Sequence, residues 1–114
     1  MARIAASGSS CSTIQVTFDH TDFVAGEKVI GNIPVNGRIH ATQLIVSHVF
    51  DGGSVNVGDD IIQGHLLSAA ENDLTLVETY EVGRGTLFTA QTTAKMYFNG
   101  APTKGDGSVI VYIG

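Results

Sequence analysis

The chain has 114 residues, of which 43% are hydrophobic and only 15% are charged. This balance excludes a disordered chain and indicates one folded domain that keeps some apolar surface for a partner. The formal net charge is −5 with six scattered basic residues, so a nucleic-acid-binding patch, which needs clustered cations, is not expected.

Residues 1–11 are small and mostly polar and are predicted to form a flexible N-terminal arm before a single β-sandwich domain over 12–114. Two alternatives stay open for the arm: it lies on a neighbouring subunit, or it is disordered. Cys11 cannot form an internal disulfide, which fits a protein made in a reducing cytosol. No signal peptide and no membrane span is predicted, so neither secretion nor membrane insertion is expected.

Fourteen glycines separate short apolar runs, at intervals of about ten residues, and this rhythm is typical of an antiparallel sandwich or barrel. The first strand is predicted over 12–18. Its apolar residues alternate with polar ones, which places Ile14, Val16 and Phe18 on one face of a half-buried strand.

A second strand is predicted from about 28 to 35, after a loop over 19–26. Pro34 marks the end of this strand or a sheet edge, because proline cannot donate to the hydrogen-bond ladder. Asn36 and Gly37 both tolerate the positive φ angles of a type I′ turn. They therefore predict a hairpin between the second strand and the third.

The third strand, predicted over 38–50, is the longest. Leu44, Val46 and Phe50 are predicted on one face, and Ile39, Ala41, Ile45 and Val49 on the other. Apolar residues on both faces predict a central strand that is covered on both sides.

The rest of the chain continues this pattern. Further strands are predicted over 55–57, 75–82, 86–98 and 109–113, and one short helical segment near 61–72. Residues 83–85 are predicted to form the turn between the strands at 75–82 and 86–98. Together these elements predict an all-β antiparallel β-sandwich of about seven or eight strands, with a jelly roll as one arrangement.

Metal sites find little support in the sequence. The four histidines, His20, His40, His48 and His65, show no zinc-ligand spacing, although His40 and His48 could share a strand face. The pairs Asp19/Asp22 and Asp59/Asp60 fall in predicted loops where oxygen ligands for calcium could converge. Asx turns and a helix N-cap explain these aspartates more simply. We predict no metal and no cofactor.

Catalytic residues are not predicted either. Cys11 lies in a Ser/Gly-rich stretch that cannot hold a thiolate beside a base. Glu78 and Glu81 point to opposite faces of a predicted strand, which excludes an acid–base pair on one sheet face. The Gly-x-Gly fragments at 83–85 and 105–107 precede no helix and are interpreted as turns. No catalytic, cofactor-binding or metal residue is therefore named.

Sugar binding remains an alternative, because β-sandwich modules bind carbohydrates with exposed aromatic rings. The chain has no Trp and three Tyr. Each of Tyr80, Tyr97 and Tyr112 lies within an apolar strand, so we interpret them as residues at the edge of the core.

From Gly31 to Ile113 the sequence resembles small bacteriophage virion structural proteins, in particular capsid decoration, or cement, proteins. The resemblance depends on the order of three features: a long strand ending in Phe50-Asp51, a Val-Gly-Asp turn at 57–59, and Leu-Leu-Ser-Ala-Ala at 66–70.

This resemblance implies a non-enzymatic β-sandwich on the outer capsid surface of the virion, where it stabilises the head. The implied partners are the major capsid protein and further copies of this chain in a dimer or trimer. A ligand-binding module or a tail- or fibre-associated virion module is the alternative function.

Overall fold

The computed structural model describes residues 12–83 and 85–114. Eight strands run through them: β1 (Ser12–Asp19), β2 (Glu27–Ile33), β3 (Gly37–His48), β4 (Ser54–Gly58), β5 (Thr79–Val82), β6 (Thr86–Phe88), β7 (Thr92–Asn99) and β8 (Asp106–Ile113). Two short 3-10 helices complete the described elements: η1 (His20–Val24) and η2 (Ala69–Glu71).

The strands form two antiparallel sheets that share one core. The larger sheet has the order β1-β8-β3, and both β5 and β6 pair with the far edge of β3. The smaller sheet has the order β2-β7-β4. The predicted all-β sandwich is confirmed.

Residues that alternate along the strands fill the space between the sheets. In β8, Val109, Val111 and Ile113 are buried, while the residues between them are half-buried. In β1, Phe18 is buried, and Ile14 and Val16 pack against the core, so the face predicted for this strand is confirmed. The alternation has a period of two residues because successive side chains of a strand point to opposite faces.

The hairpin predicted at Asn36 and Gly37 is wrong. A tight turn does form there: Asn36 has a φ of +60°, and the N–H of Gly37 donates to the carbonyl of Pro34 at 2.9 Å. However, β2 pairs with β7 and β3 pairs with β8, so the turn carries the chain from one sheet to the other. The local residues form a turn, but packing of the whole sandwich pairs β2 with β7 and buries Ile33, at the end of β2, in the core between the sheets.

Only one face of β3 faces the core, which corrects the prediction that both faces are covered. Ile39, Leu44 and Val46 are buried on this inner face. The register against β8 shifts between Ile39 and Ala41, and this bulge brings Ile39 to the same face as Leu44. On the outer face, Ile45 is only half-buried.

The single strand predicted over 86–98 is wrong, because two separate strands, β6 and β7, form there. β6 belongs to the larger sheet and β7 to the smaller one, with bends at Thr89 and Ala90 between them. β5 and β6 both run antiparallel to β3 along one edge, so residues 83–85 interrupt an edge strand instead of reversing it. Arg84 lies outside the described residues.

Two boundaries differ from the predictions. The strand predicted over 75–82 starts only at Thr79. The helical segment predicted near 61–72 reduces to η2, at 69–71, and the remaining residues form a loop. In that loop Ile61 and Ile62 are exposed whereas Leu66 and Leu67 are buried, so the three- and four-residue spacing does not mark the face of a helix.

Thr42 provides a test of the packing in this core. Its side chain is 1% exposed, and its hydroxyl has no hydrogen-bond partner among the described residues. We expect Thr42→Val to raise the free energy of unfolding by about 1 kcal/mol, because the substitution removes an unpaired buried polar atom. Urea denaturation measures the change. Thr13→Val, at an exposed position of β1, is the control, and an equal gain there would contradict the explanation.

Candidate interaction surface

A groove of about 300 Å³ opens where the loop after β4 faces β6. Three of its residues are large exposed hydrophobic side chains: Ile61 is 87% exposed, Ile62 is 52% exposed and Leu87 is 48% exposed. Half-buried Phe88 and His65 also line the groove. Exposed hydrophobic residues that line a common groove mark a surface suited to an apolar partner.

Backbone hydrogen bonds attach the loop to the end of β4. The N–H groups of Leu66 and Leu67 both donate to the carbonyl of Val57, at 2.9 and 3.0 Å. In return, the N–H of Val57 donates to the carbonyl of Leu67 at 2.7 Å. Leu66 and Leu67 are buried. The base of the loop is therefore part of the core, while its outer part carries the exposed isoleucines.

Asp59 organises the outer part of the loop. Its Oδ1 accepts hydrogen bonds from the N–H groups of Ile61 and Ile62, at 2.8 and 2.9 Å. Its Oδ2 lies 2.7 Å from Nδ1 of His65. Because an ionised carboxylate only accepts, Nδ1 of His65 carries the proton in this pair. The turn predicted for this aspartate is confirmed, with His65 as an additional partner.

The environment of Asp59 favours its charged form. Burial alone raises the pKa of this carboxyl group, but the hydrogen bonds from Ile62, His65 and Ile61 outweigh burial and lower the pKa below its ordinary value of 3.8. Asp59 is 3% exposed. A buried carboxylate with every partner in place fixes the backbone that presents Ile61 and Ile62.

Two residues of β7 fasten this region to the smaller sheet. The hydroxyl of Tyr97 donates to the carbonyl of Asp59 at 2.5 Å. Nζ of Lys95 lies 2.9 Å from a carboxylate oxygen of Asp60 and 3.1 Å from one of Glu27. Hydrogen bonds to these two carboxylates raise the pKa of Lys95. The groove wall is therefore held by a bridge between β2, β7 and the loop.

Asp19 and Asp22 lie beside a second hollow, of about 410 Å³, near the start of β8. Asp19 caps η1 by accepting from the N–H of Thr21, and Asp22 accepts from the N–H of Asp19 at 2.9 Å. Nζ of Lys28 lies 3.2 Å from Asp22. The prediction of a loop over 19–26 is therefore corrected, because η1 forms there with Asp19 as its N-cap. Across residues 12–83 and 85–114, no three His, Cys, Asp or Glu side chains could jointly hold a metal ion.

The structure does not bring the histidines together. His40 and His48 lie near opposite ends of β3, and both are exposed. Nδ1 of His48 is 2.9 Å from Asp106, whereas the ring of His40 lies beside Gly114. His20 is the first residue of η1, and only His65 faces the groove.

All three tyrosine hydroxyls have internal partners. Tyr80 donates to the carbonyl of Asp73, Tyr97 to that of Asp59, and Tyr112 to Oε1 of Gln43. The three rings are half-buried. Tyr80 packs against the core, as interpreted. Tyr97 and Tyr112 alternate with buried residues of β7 and β8, so they lie on the outer faces of the two sheets, which corrects the interpretation for these two residues. Sugar-binding modules instead present free aromatic faces.

The two glutamates considered as an acid–base pair do not line the groove. Glu78 precedes β5, and Glu81, within β5, accepts from Nε2 of Gln43 at 2.7 Å. The prediction for Cys11 lies outside the described residues.

Sequence reasoning missed the groove because Ile61 and Ile62 were assigned to a helical segment. The one available signal was two adjacent isoleucines after Asp59-Asp60, a polar turn.

Two solved structures resemble this chain. A chain in the acidic stable capsid structure of Helicobacter pylori bacteriophage KHP30 has a TM-score of 0.74 and 14% identity, over 92% of this chain and 87% of that one. A chain in the capsid asymmetric unit of cyanophage Pam1 has a TM-score of 0.65 and 19% identity, over 98% and 92%. The fold is one found in phage capsids.

This similarity confirms the predicted resemblance to phage virion proteins at the level of the fold. No known family profile matches the chain, and no characterised protein matches its sequence significantly. No helix in the described part of the chain is long and apolar enough to cross a membrane.

Proposed function

We propose that this chain is a non-enzymatic structural protein of a bacteriophage particle that binds the outer capsid surface as a decoration, or cement, protein. The similarity to chains in two phage capsid structures carries the proposal, because it extends over nearly the whole chain. The proposed partners are the major capsid protein and further copies of this chain in a dimer or trimer. Its proposed location is the outside of the virion.

The surface supports this role. Several large hydrophobic side chains are more than half exposed although they lie on a well-packed sandwich: Val24, Val29, Val35, Ile61, Ile62, Leu76 and Val77. A cement protein stabilises a shell through apolar contact area that many copies repeat. A rigid body with scattered apolar contacts fits that requirement better than it fits catalysis.

The strand order supports a jelly roll as the finer description of the fold. The first four strands alternate between the sheets: β1 and β3 lie in the larger sheet, and β2 and β4 in the smaller one. β4 also forms an isolated antiparallel bridge between Val57 and Leu67. We interpret this bridge as a shortened fourth strand of the smaller sheet. When β5 and β6 are counted as one interrupted edge strand of the larger sheet, each layer then has four strands.

Reconstruction of the phage particle tests the proposed function. We expect density for this chain on the head lattice, at a copy number comparable to that of the shell subunits. Purified protein added to particles that lack it should bind saturably and raise the temperature at which the heads rupture. Particles that already carry the protein are the control and should bind no more. Absence from the head, or density confined to the tail, would contradict the proposal.

A further inference from the structure

Among the described strands, β1 forms one edge of the larger sheet, and half of its backbone hydrogen-bonding groups face away from that sheet. The ladder between β1 and β8 continues beyond the end of the strand, where the N–H of His20 donates to the carbonyl of Gly105 at 3.1 Å. Because hydrogen-bonded pairs alternate along an antiparallel ladder, the even-numbered residues of β1 bond to β8 and the odd-numbered ones face the edge. The N–H of Asp19 accordingly donates away from β8, to Asp22 at 2.9 Å.

The central part of this edge has no partner among the described residues. The N–H and C=O groups of Thr13 and Gln15 and the N–H of Thr17 face the edge, and none of them hydrogen-bonds to a described residue. The carbonyl of Thr17 accepts from Nζ of Lys28 at 2.8 Å, which closes the edge at that end only. A row of unpaired backbone groups is a template for pairing with a strand of another chain.

The other described strand edges carry features that hinder such pairing. β2 begins with two charged residues and has a register shift between Val29 and Gly31. Leu67 bridges the free side of β4, and β5 and β6 are only four and three residues long. β1 has eight residues, a continuous register against β8, and no charged residue, proline or glycine before Asp19. It is therefore the described edge that is most open to pairing.

The residue types of β1 are symmetric about Gln15. A β-branched apolar residue and then a threonine follow on either side, in the order Thr13, Ile14, Gln15, Val16, Thr17. Two antiparallel β1 strands centred on Gln15 would therefore place Thr13 opposite Thr17 and Ile14 opposite Val16. Both kinds of pair are favourable across strands, and no like charges meet.

Burial agrees with this pairing. Ile14 and Val16 are only half-buried, although they lie on the core face of β1, so a second strand at the edge would cover them. Thr13, Gln15 and Thr17 are exposed on the opposite face. Because a two-fold axis brings the same strand together with itself, this symmetric pattern favours a second copy of this chain over a strand of another protein.

We propose that two copies of this chain pair through antiparallel β1 strands about a two-fold axis at Gln15. The N–H of Gln15 in each copy donates to the carbonyl of Gln15 in the other, and the N–H of Thr17 donates to the carbonyl of Thr13. The two larger sheets then form one continuous sheet. This inference rests on the association between copies in the proposed function and deepens it, but it does not depend on the capsid.

Sedimentation equilibrium of the purified chain tests the pairing. We expect the mass of two chains for the unchanged protein and the mass of one chain for Gln15→Pro. Proline removes an edge-facing N–H that the ladder with β8 does not use, so the sandwich itself should tolerate it. The mass of one chain or of three for the unchanged protein would overturn the proposal.

Gln15→Glu keeps the backbone unchanged and places two carboxylates opposite each other across the axis. We expect this variant to raise the dissociation constant of the dimer by about fivefold at neutral pH. Thr79→Glu is the matched control, because it adds the same charge at an exposed position of β5, on the opposite edge of the sheet. Equal dissociation constants for the two variants would overturn the proposal.

Nuclear Overhauser measurements locate the contact between copies. The sample mixes chains labelled at the Ile methyl groups with chains labelled at the Val methyl groups, both otherwise deuterated. A contact between the methyl groups of Ile14 and Val16 can then arise only between two copies. We expect this contact, and a dimer without it would overturn pairing through β1.

Binding of the same protein to phage heads separates this inference from the capsid role. Unchanged protein that binds heads but sediments as one chain would overturn the pairing and leave the capsid role standing. A dimer that shows the contact between Ile14 and Val16 but does not bind heads would support the pairing and overturn the capsid role.

Discussion

We expect Gly105→Ala to lower the free energy of unfolding by about 2–5 kcal/mol. Gly105 has a φ of +120°, in the left-handed half of backbone space that side chains avoid. A Cβ atom built on Gly105 would also collide with the ring of Phe50. Phe50 is 2% exposed, so its ring has no free volume into which it could move. Urea denaturation measures the loss.

The expected loss is large because Phe50 belongs to a packed aromatic cluster. Its ring centroid lies 5.6 Å from that of Phe18 and 5.6 Å from that of Phe23, and Phe98 completes the cluster at 4.7 Å from Phe23. A displaced Phe50 ring would disturb its neighbours, because such contacts stabilise a core only at the right separation.

Gly26→Ala separates the steric effect from the backbone effect. Gly26 also has a positive φ, +84°, but no atom lies within 4 Å of a Cβ built there. We expect this control to lose only about 1–2 kcal/mol, the cost of a left-handed side-chain residue. Equal losses for the two variants would mean that the contact with Phe50 contributes nothing.

The sequence predicted individual strands well where one face is buried. In β1 and β4, apolar and polar residues alternate, and burial of one face imposes that alternation. Which sheet each strand joins was not predictable. The residues at Asn36 and Gly37 are those of a hairpin turn, yet the strands on either side of this turn belong to different sheets. Whether two successive strands pair or separate depends on long-range packing, which no local residue pattern contains.

The groove was less predictable than the strands. The residues that shape it interact with distant partners: Asp59 with Tyr97, and Asp60 with Lys95. The spacing of apolar residues in 61–70 suits a helix, yet the carboxylate of Asp59 takes the N–H groups of Ile61 and Ile62 and holds a different turn. Side-chain competition for backbone donors therefore decided the local structure.

Asp59→Ala should be the second most damaging change, with a loss of about 2–4 kcal/mol. The substitution removes a buried acceptor and leaves the N–H groups of Ile61 and Ile62 without it. Asp60→Ala is the matched control, because its carboxylate is 48% exposed and its ion pair with Lys95 is solvated. Such a pair contributes about 0–1 kcal/mol. Similar losses at both positions would contradict the role assigned to Asp59.

The pH dependence distinguishes the charge of Asp59 from its shape. The lowered pKa of folded Asp59 means that the unfolded state binds the proton first as the pH falls. Ionised Asp59 therefore stabilises the folded state fully at pH values well above 3.8. This stabilisation is lost as the pH falls through the lowered pKa of the folded state. Asp59→Asn keeps an oxygen acceptor without the charge. The difference in free energy of unfolding between Asp59→Asn and the unchanged protein should become smaller as the pH is lowered. A difference that stays constant with pH would show that the charge of Asp59 contributes nothing.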